Sequence, residues 1–235
     1  MRLGRLKEDI RRWGWARVLF ARAMAVAARH TGLRVYRVNL RLLSRNAPAP
    51  ELSSGLALRV ATAEELRKAA GDPELDMQPQ FVGDALARGD MAFGAFEGDR
   101  LVGYTWRTFT YAPHIDGLWV GIDRPFQYSY KGFTRPSHRR RGIHAAITHF
   151  ADAYLIERGY AAEVGFVDVT NFASLAVADS MGRRKIGCAG HVSWLGGKAS
   201  FRTAAVKKIG IVLFERGAEA FYEKLRRRQA SLKGR

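Results

Sequence analysis

The chain has 235 residues, 47% hydrophobic and 26% charged, enough to bury a sizeable core, and its one cysteine, Cys188, excludes an internal disulfide framework. The net charge of +17 favours anionic partners: nucleic acid, anionic lipid or acidic protein. That charge sits at the ends, because residues 1–50 hold 12 Lys+Arg against 2 acids and 201–235 hold 10 against 3, whereas 51–200 hold 17 of each. It therefore describes a docking surface more than a catalytic core.

Residues 5–30 predict a basic helix with Leu6, Ile10, Trp13, Phe20, Met24 and Ala27 on one side, interrupted by Arg17, and Arg11, Arg22 and Arg29 opposite. Val18–Ala28 has the look of a signal-peptide apolar region, but Arg22 lies in its middle and the run is far short of the roughly 20 apolar residues of a membrane span. Two readings stay open: the helix packs on a catalytic domain, or it lies in the membrane interface with Trp and Arg at headgroup level. Leu33–Leu43 alternates like a strand. Asn46–Ser54, with two prolines, is the best linker candidate and sets a boundary near residue 50.

Leu56–Ala61 is expected as a strand. Thr62 then caps a helix through Ala70, since Thr62-x-x-Glu65 has the capping-box form. Gly71–Pro79 is an acidic loop whose Asp72, Glu74 and Asp76 either face an amine or are solvated, and a short helix follows over Gln80–Ala87. Met91–Glu97 and Leu101–Phe109 predict a hairpin around Gly98-Asp99-Arg100. Thr110–Phe126 is a longer aromatic connection holding His114, Asp116, Trp119 and Asp123.

Gln127–Arg135 alternates aromatic and polar side chains as a strand, ended by Pro136-Ser137. From Gly142 the residues Ile143, Ala146, Ile147, Phe150, Ala151 and Tyr154 recur at helical steps, so a strand runs through a short basic loop into a helix N-terminus. The first turn of a helix leaves backbone N–H groups unpartnered and aligned with the macrodipole, which makes an anion site. Arg139, Arg140 and Arg141 would oppose that dipole unless an anion lies between, and Gly142 lets backbone approach it; a diphosphate is the natural guest, a solvated or nucleic-acid-binding basic face the bland alternative. A strand over Ala162–Val169 and a helix from Asn171 to Gly182 follow. Lys185–Leu195 and Ala199–Phe214 are expected as two strands joined at Gly196-Gly197, and Phe221, Leu225 and Arg226–Arg228 as a final basic helix.

Arg139-Arg140-Arg141-Gly142-Ile143-His144 resembles the Arg/Gln-x-x-Gly-x-Gly/Ala loop of the GNAT superfamily of acyl-CoA N-acyltransferases, with His144 standing where Gly or Ala is usual and Ala145 behind it. Asn171-x-x-Ser174, with Gly182 eleven residues after the Asn, is similar to the family's second motif, and the likeness extends over residues 56–214. It implies an α/β (α+β) fold: a mixed, largely antiparallel twisted sheet flanked by helices, here with an added N-terminal basic helix. Together with the linker boundary near residue 50, this gives an expected division into 1–50 (basic helix and connector), 51–214 (acyltransferase domain) and 215–235 (basic tail).

The implied co-substrate is acetyl-CoA or another acyl-CoA, used without a metal. Its binding residues would be Phe133, Thr134 and Arg135 on the strand, Arg139, Arg140, Arg141, Gly142, Ile143, His144 and Ala145 at the loop, and Asn171 and Ser174 beyond. The tyrosine that many members carry seven residues after the Asn is Ala178 here, so the acid role is vacant. The remaining candidates are Tyr128, Ser129 and Tyr130 on the strand and Asp168 on the next one, with turn capping the competing reading for Asp168. The acceptor is expected to be a small-molecule or sugar-linked amine, and the location cytoplasmic, with contact to an anionic membrane through residues 1–30 as an open reading and nucleic acid not favoured. The rival function is a noncatalytic GNAT-like binding module that uses its basic ends.

Overall fold

The computed structural model describes residues 2–45, 52, 55–115, 117–194, 197–215, 217–218, 220 and 223. In chain order the elements are α1 (Arg2–Trp13), α2 (Trp15–Thr31), β1 (Arg34–Leu42), β2 (Leu56–Val60), α3 (Ala63–Ala69), α4 (Pro79–Ala87), β3 (Met91–Glu97), β4 (Arg100–Thr108), β5 (Tyr111–Ile115), β6 (Leu118–Gly121), β7 (Phe126–Thr134), a 3-10 turn (Pro136–His138), α5 (Ile143–Ile156), β8 (Ala162–Asp168), α6 (Phe172–Ser180), β9 (Arg184–Trp194), β10 (Gly197–Arg202), α7 (Ala204–Lys208) and β11 (Val212–Glu215). The fold class is the expected one, a mixed and largely antiparallel sheet with flanking helices. Among the described residues no helix is long and apolar enough to cross a membrane.

The chain divides into two compact units, residues 1–40 with 166–215, and residues 41–165 with 216–235. This differs from the expected division at 50 and 214: the N-terminal segment shares its unit with the chain after Gly165.

In the larger unit β2, β3, β4 and β7 form an antiparallel ladder, and β8 joins β7 in parallel. Every residue of β4 after Arg100 is buried, because helices cover both faces of the sheet. Leu66 of α3 and Val82 and Ala85 of α4 pack with Phe96, Tyr104 and Trp106. Ile143, Ile147, Ala151 and Leu155 of α5 pack with Phe93 and Val102. Full burial of such large apolar side chains contributes about 1.5–3 kcal/mol each. Gly103 lets α5 come close: a Cβ there would lie 3.0 Å from Ile143 Cγ2.

The local signals behind these elements are plain. Thr62 accepts from the Glu65 N–H while the Glu65 carboxylate accepts from the Thr62 N–H, the capping box expected at α3. Pro79 opens α4 at the position where its missing N–H costs nothing.

Beneath β7 and β8 lies a buried charge network. Arg41 donates to both oxygens of Asp152, at 2.5 and 2.8 Å, and to Glu163 at 2.9 Å; Arg107 reaches Glu163 at 3.4 Å and also bonds Thr105 and Ser129. Two guanidinium groups thus meet two carboxylates, so the interior holds no net charge there.

In the smaller unit β9 pairs antiparallel with β1 (Arg34↔His191, Tyr36↔Ala189) and with β10 (Ser200↔His191, Arg202↔Ala189). Asn171 caps α6 by accepting from the Ser174 N–H at 3.1 Å, and Arg37 pairs with Asp179 on that helix at 2.7 Å.

Four expectations are corrected. The single helix over 5–30 is two helices, broken at Gly14, whose φ of +84° is open to glycine and not to an ordinary helical residue. The connection 110–126 contains the hairpin β5–β6, with Tyr111↔Gly121 and Ala112↔Val120 paired; its Asp116 lies outside the described residues. The second late strand is split into β10 and β11 by α7, whose Ala-Ala-Val-Lys-Lys sequence favours helix after the break at Thr203. Helix α1 begins at Arg2, ahead of the predicted segment, and α2 ends at Thr31. The linker, apart from Leu52, and the final helix and basic tail, apart from isolated residues, lie outside the described residues.

Candidate active site

Strand β7 carries the site. Its parallel register with β8 covers Phe126↔Ala162, Gln127↔Glu163 and Tyr128↔Val164, while its antiparallel register with β4 continues to Gly103↔Thr134. Lys131 faces Trp106 and Ser129 faces Arg107, so Tyr130 is the extra residue of a β-bulge. A bulge bends its strand and re-aims the side chain at that point. The stretch Ser129–Thr134, which contains the bulge, therefore lies beyond the β8 register.

Beyond Thr134 the chain makes the 3-10 turn and enters the basic loop. Arg140 has φ +62° and Gly142 φ +70°, two left-handed residues on either side of Arg141. For arginine this is a sparsely populated conformation, of the kind held at functional loops. Such a backbone turns successive N–H groups toward one side. Gly142 is the N-cap of α5 and offers no side-chain cap; the first intrahelical bond runs from the Ala146 N–H to the Gly142 carbonyl, so the amides of Ile143, His144 and Ala145 precede it. No acid occupies the first turn. A cavity of about 260 Å³ opens here, lined by Thr134, Arg139, Arg140, Gly142, His144 and Ala145 among others. Arg139 donates to the Thr134 carbonyl at 3.1 Å and stands over the Phe133 ring at 5.6 Å.

His144, the departure from the usual small residue, is accommodated by its neighbour in space. Its ring lies over Gly132 of β7, where a Cβ would come 3.2 Å from Cε1. His138 is buried, bonded to Ser137 Oγ at 2.8 Å and 3.7 Å from a Glu97 oxygen.

Arg135 is a correction. Its side chain is buried and pairs with Asp72 and, at 2.5 Å, with Glu74, while Nε donates to the Leu101 carbonyl at 2.8 Å. Its backbone N–H is already given to the Val102 carbonyl at 2.9 Å, so it has none to offer a cofactor. The acidic loop is accordingly a clamp for cations of the fold: Asp72 and Glu74 hold Arg135, Glu74 also meets Arg100, and Asp76 meets Lys131 at 3.0 Å. The hydrogen bond from Arg135 holds the Asp72 carboxyl below the usual carboxylate range.

At the bulge, Tyr130 Oη donates to Asp90 Oδ2 at 2.8 Å, and Arg88 reaches the same oxygen through Nε at 3.1 Å and Nη2 at 2.8 Å. Burial pushes the Asp90 carboxyl up from the ordinary range against the opposing pull of Arg88, and burial together with Asp90 pushes the Tyr130 phenol up. Tyr128 is buried and hydrogen bonded to His114 Nδ1 at 2.8 Å. Beside them is a cavity of about 590 Å³ walled by Phe81, Arg88, His114, Trp119, Tyr130 and Lys131 among others. Arg88 stacks over Trp119 at 5.3 Å, and Lys131 over Phe81 at 5.0 Å.

Sequence reasoning missed Asp90 and Arg88. Both sit at the end of α4, about forty residues before Tyr130, and the local signal was only a charged turn between a helix and a strand. In the smaller unit, Asp168 Oδ1 accepts from the Thr170 N–H at 2.8 Å and from Thr170 Oγ1 at 2.6 Å, the turn-capping arrangement that is the competing reading for this residue. Asn171 and Ser174 form the α6 cap, and Ala178 is buried.

No protein-family model matches this chain, and no curated protein matches it in sequence. Among solved structures it is similar to the GCN5-related N-acetyltransferase from Kribbella flavida, with 17% identity over 74% of this chain and 64% of that one, at a TM-score of 0.45. It is similar also to the GCN5-related N-acetyltransferase from Sphaerobacter thermophilus, with 13% identity over 77% of this chain and 56% of that one, at a TM-score of 0.48. A third likeness is to AAC(6')-Iy in complex with the bisubstrate analog CoA-S-monomethyl-acetylneamine, with 16% identity over 55% of this chain and 90% of that one, at a TM-score of 0.40. The chain thus spans 64% and 56% of the length of the first two.

Proposed function

We propose that this chain is a GNAT-type N-acyltransferase that moves an acetyl or other acyl group from coenzyme A to the amine of a small-molecule or sugar-linked acceptor. The observation that carries the reading is the loop Arg139–Gly142: two left-handed residues and three arginines open onto the uncapped N-terminus of α5, one 3-10 turn after a strand whose parallel pairing stops at Tyr128. The coenzyme A diphosphate would take the first-turn amides and the arginine charge. The pantetheine arm would lie along Ser129–Thr134 as an extended guest pairs with a strand edge.

The acceptor would enter the cavity beside Tyr130. Its nitrogen attacks the thioester carbonyl, forming C–N and breaking C–S, and the sulfur leaves as thiolate that takes up the second proton shed by the attacking nitrogen. The proton lost by the incoming ammonium passes toward Asp90 by way of the Tyr130 hydroxyl, whose hydrogen bond to Asp90 is already in place. A carboxylate with a raised pKa is the stronger base for that role. Asp90 and Tyr130 would thus supply the base for the incoming amine, a role separate from the acid role vacant at Ala178, which favours an enzyme over the noncatalytic module.

The test is titration of acetyl-CoA into the wild type and Gly142→Asp by calorimetry, with thiol release followed against a panel of amines. Gly142→Asp should abolish binding while leaving the circular dichroism spectrum unchanged. Equal binding in the two proteins would remove the loop assignment.

A further inference from the structure

Helix α2 presents an apolar stripe to solvent. Trp15, Leu19 and Val26 are exposed to 69%, 61% and 59%, and at about 3.6 residues per turn their spacing puts them on one side of the helix. The packed side is the other one: Val18 is buried, and Ala21, Met24 and Ala28 are half-buried. Phe20 adds a further exposed ring at 45% on the flank. A helix that faced only water would turn these residues inward.

The same outer side carries cations. Arg22 and Arg29, seven residues apart and both exposed, flank the Trp15–Leu19–Val26 stripe, and Arg11 and Arg12 end α1 just before the Gly14 break. Residues 2–31 hold eight Arg and Lys against two acids. An apolar stripe edged by arginines, with a tryptophan at its start, is the pattern of a helix lying in the plane of an anionic bilayer: apolar side chains enter the acyl boundary while guanidinium groups meet lipid phosphates. A second copy of the chain is a poorer occupant, since a symmetric contact through this face would set arginines against arginines.

We infer that α2 docks this protein on an anionic phospholipid surface through Trp15, Leu19 and Val26, with Arg22 and Arg29 as its electrostatic contacts. The inference is independent of acyl transfer, and coenzyme A titration of each variant separates the two.

The experiment is flotation of the full chain with vesicles of phosphatidylcholine containing phosphatidylglycerol, against vesicles of phosphatidylcholine alone. The protein should float with the anionic vesicles and be released by salt. The double variant Leu19→Glu/Val26→Glu should stay in the protein fraction. Arg22→Glu/Arg29→Glu should lower vesicle affinity at least about tenfold, each arginine near the surface being worth about 1 kcal/mol. All four side chains are exposed, so the fold is retained, and matching circular dichroism spectra check this; Trp15→Ser is the fallback should the glutamates disturb it. Absence of wild-type binding to the anionic vesicles would overturn the proposal. So would equal flotation of wild type and Leu19→Glu/Val26→Glu, or a wild-type dimer in sedimentation that the same variant abolishes.

Discussion

Tyr130 and Asp90 show how one residue acquires a role from a partner distant in sequence. The phenol already donates to a buried carboxylate that Arg88 holds in place. Under the proposed mechanism Asp90 must be ionised to accept the proton, and burial raises its pKa, so activity should fall on acidification with a midpoint above the ordinary carboxylate range of about 4. Tyr130→Phe should lower kcat by about 100-fold or more. Its stability should change by only about 1 kcal/mol, since the carboxylate keeps Arg88. The kcat/KM profile against pH for wild type and Tyr130→Phe checks both statements, and an acid limb near the unperturbed value would remove Asp90 from the route. Tyr130 was visible in the sequence as a tyrosine on the strand before the basic loop. Asp90 was not, because nothing local marks a carboxylate whose importance lies in what it touches. Arg135 erred in the opposite sense: its place beside the loop looked like a ligand position, yet its N–H and its guanidinium are both consumed by the fold.

Elements whose causes are local were read well. The α3 capping box, the strands β3 and β4 on either side of a Gly-Asp turn, and α5 after Gly142 all follow from residues within a few positions of one another. The misread elements depend on neighbours in space or on a single backbone angle, as with the break at Gly14 and the bulge at Tyr130. Strand β9 adds a constraint of the same kind. A Cβ on Gly190 would run far inside contact distance of the Arg34 carbonyl of β1 and press on the Phe201 ring of β10. Gly190→Ala should therefore destabilise the smaller unit by about 1–3 kcal/mol as β1 and β10 are pushed aside. Hydrogen exchange of the β9 amides would report it; unchanged protection would mean that the strands yield without cost.

At the scale of the molecule, charge is segregated and partly buried. The excess of Lys and Arg lies in the terminal segments, whereas the interior pairs Arg41 and Arg107 with Asp152 and Glu163. Carboxylates that hold cations set the acid limit of stability. Arg135 lowers Asp72 and Arg37 lowers Asp179; for Glu65 burial pulls upward, yet the Thr62 and Arg59 contacts together outweigh it. A folded-state pKa below the unfolded one means that the folded form binds fewer protons. The stabilisation is therefore complete above the ordinary carboxylate range and is lost as pH falls through the lowered values. The melting temperature should accordingly hold near neutrality and drop below about pH 4. Asp90, raised by burial, works in the opposite sense above that range, so the test is the limb below about pH 4: a melting temperature that does not fall there would contradict these assignments.

The sequence by itself determined the mixed α/β class, the strand–loop–helix order around Arg139–Gly142, the cap of α3 and the location of the excess charge. Each depends on composition or on residues close together in the chain, where periodicity, glycine and capping chemistry act directly. Only the tertiary structure decided that Asp90 meets Tyr130, that Arg135 is spent on Asp72 and Glu74, and that α2 turns Trp15, Leu19 and Val26 outward. Those outcomes rest on which side chains become buried together, and burial is a property of the folded chain that no short stretch of sequence carries.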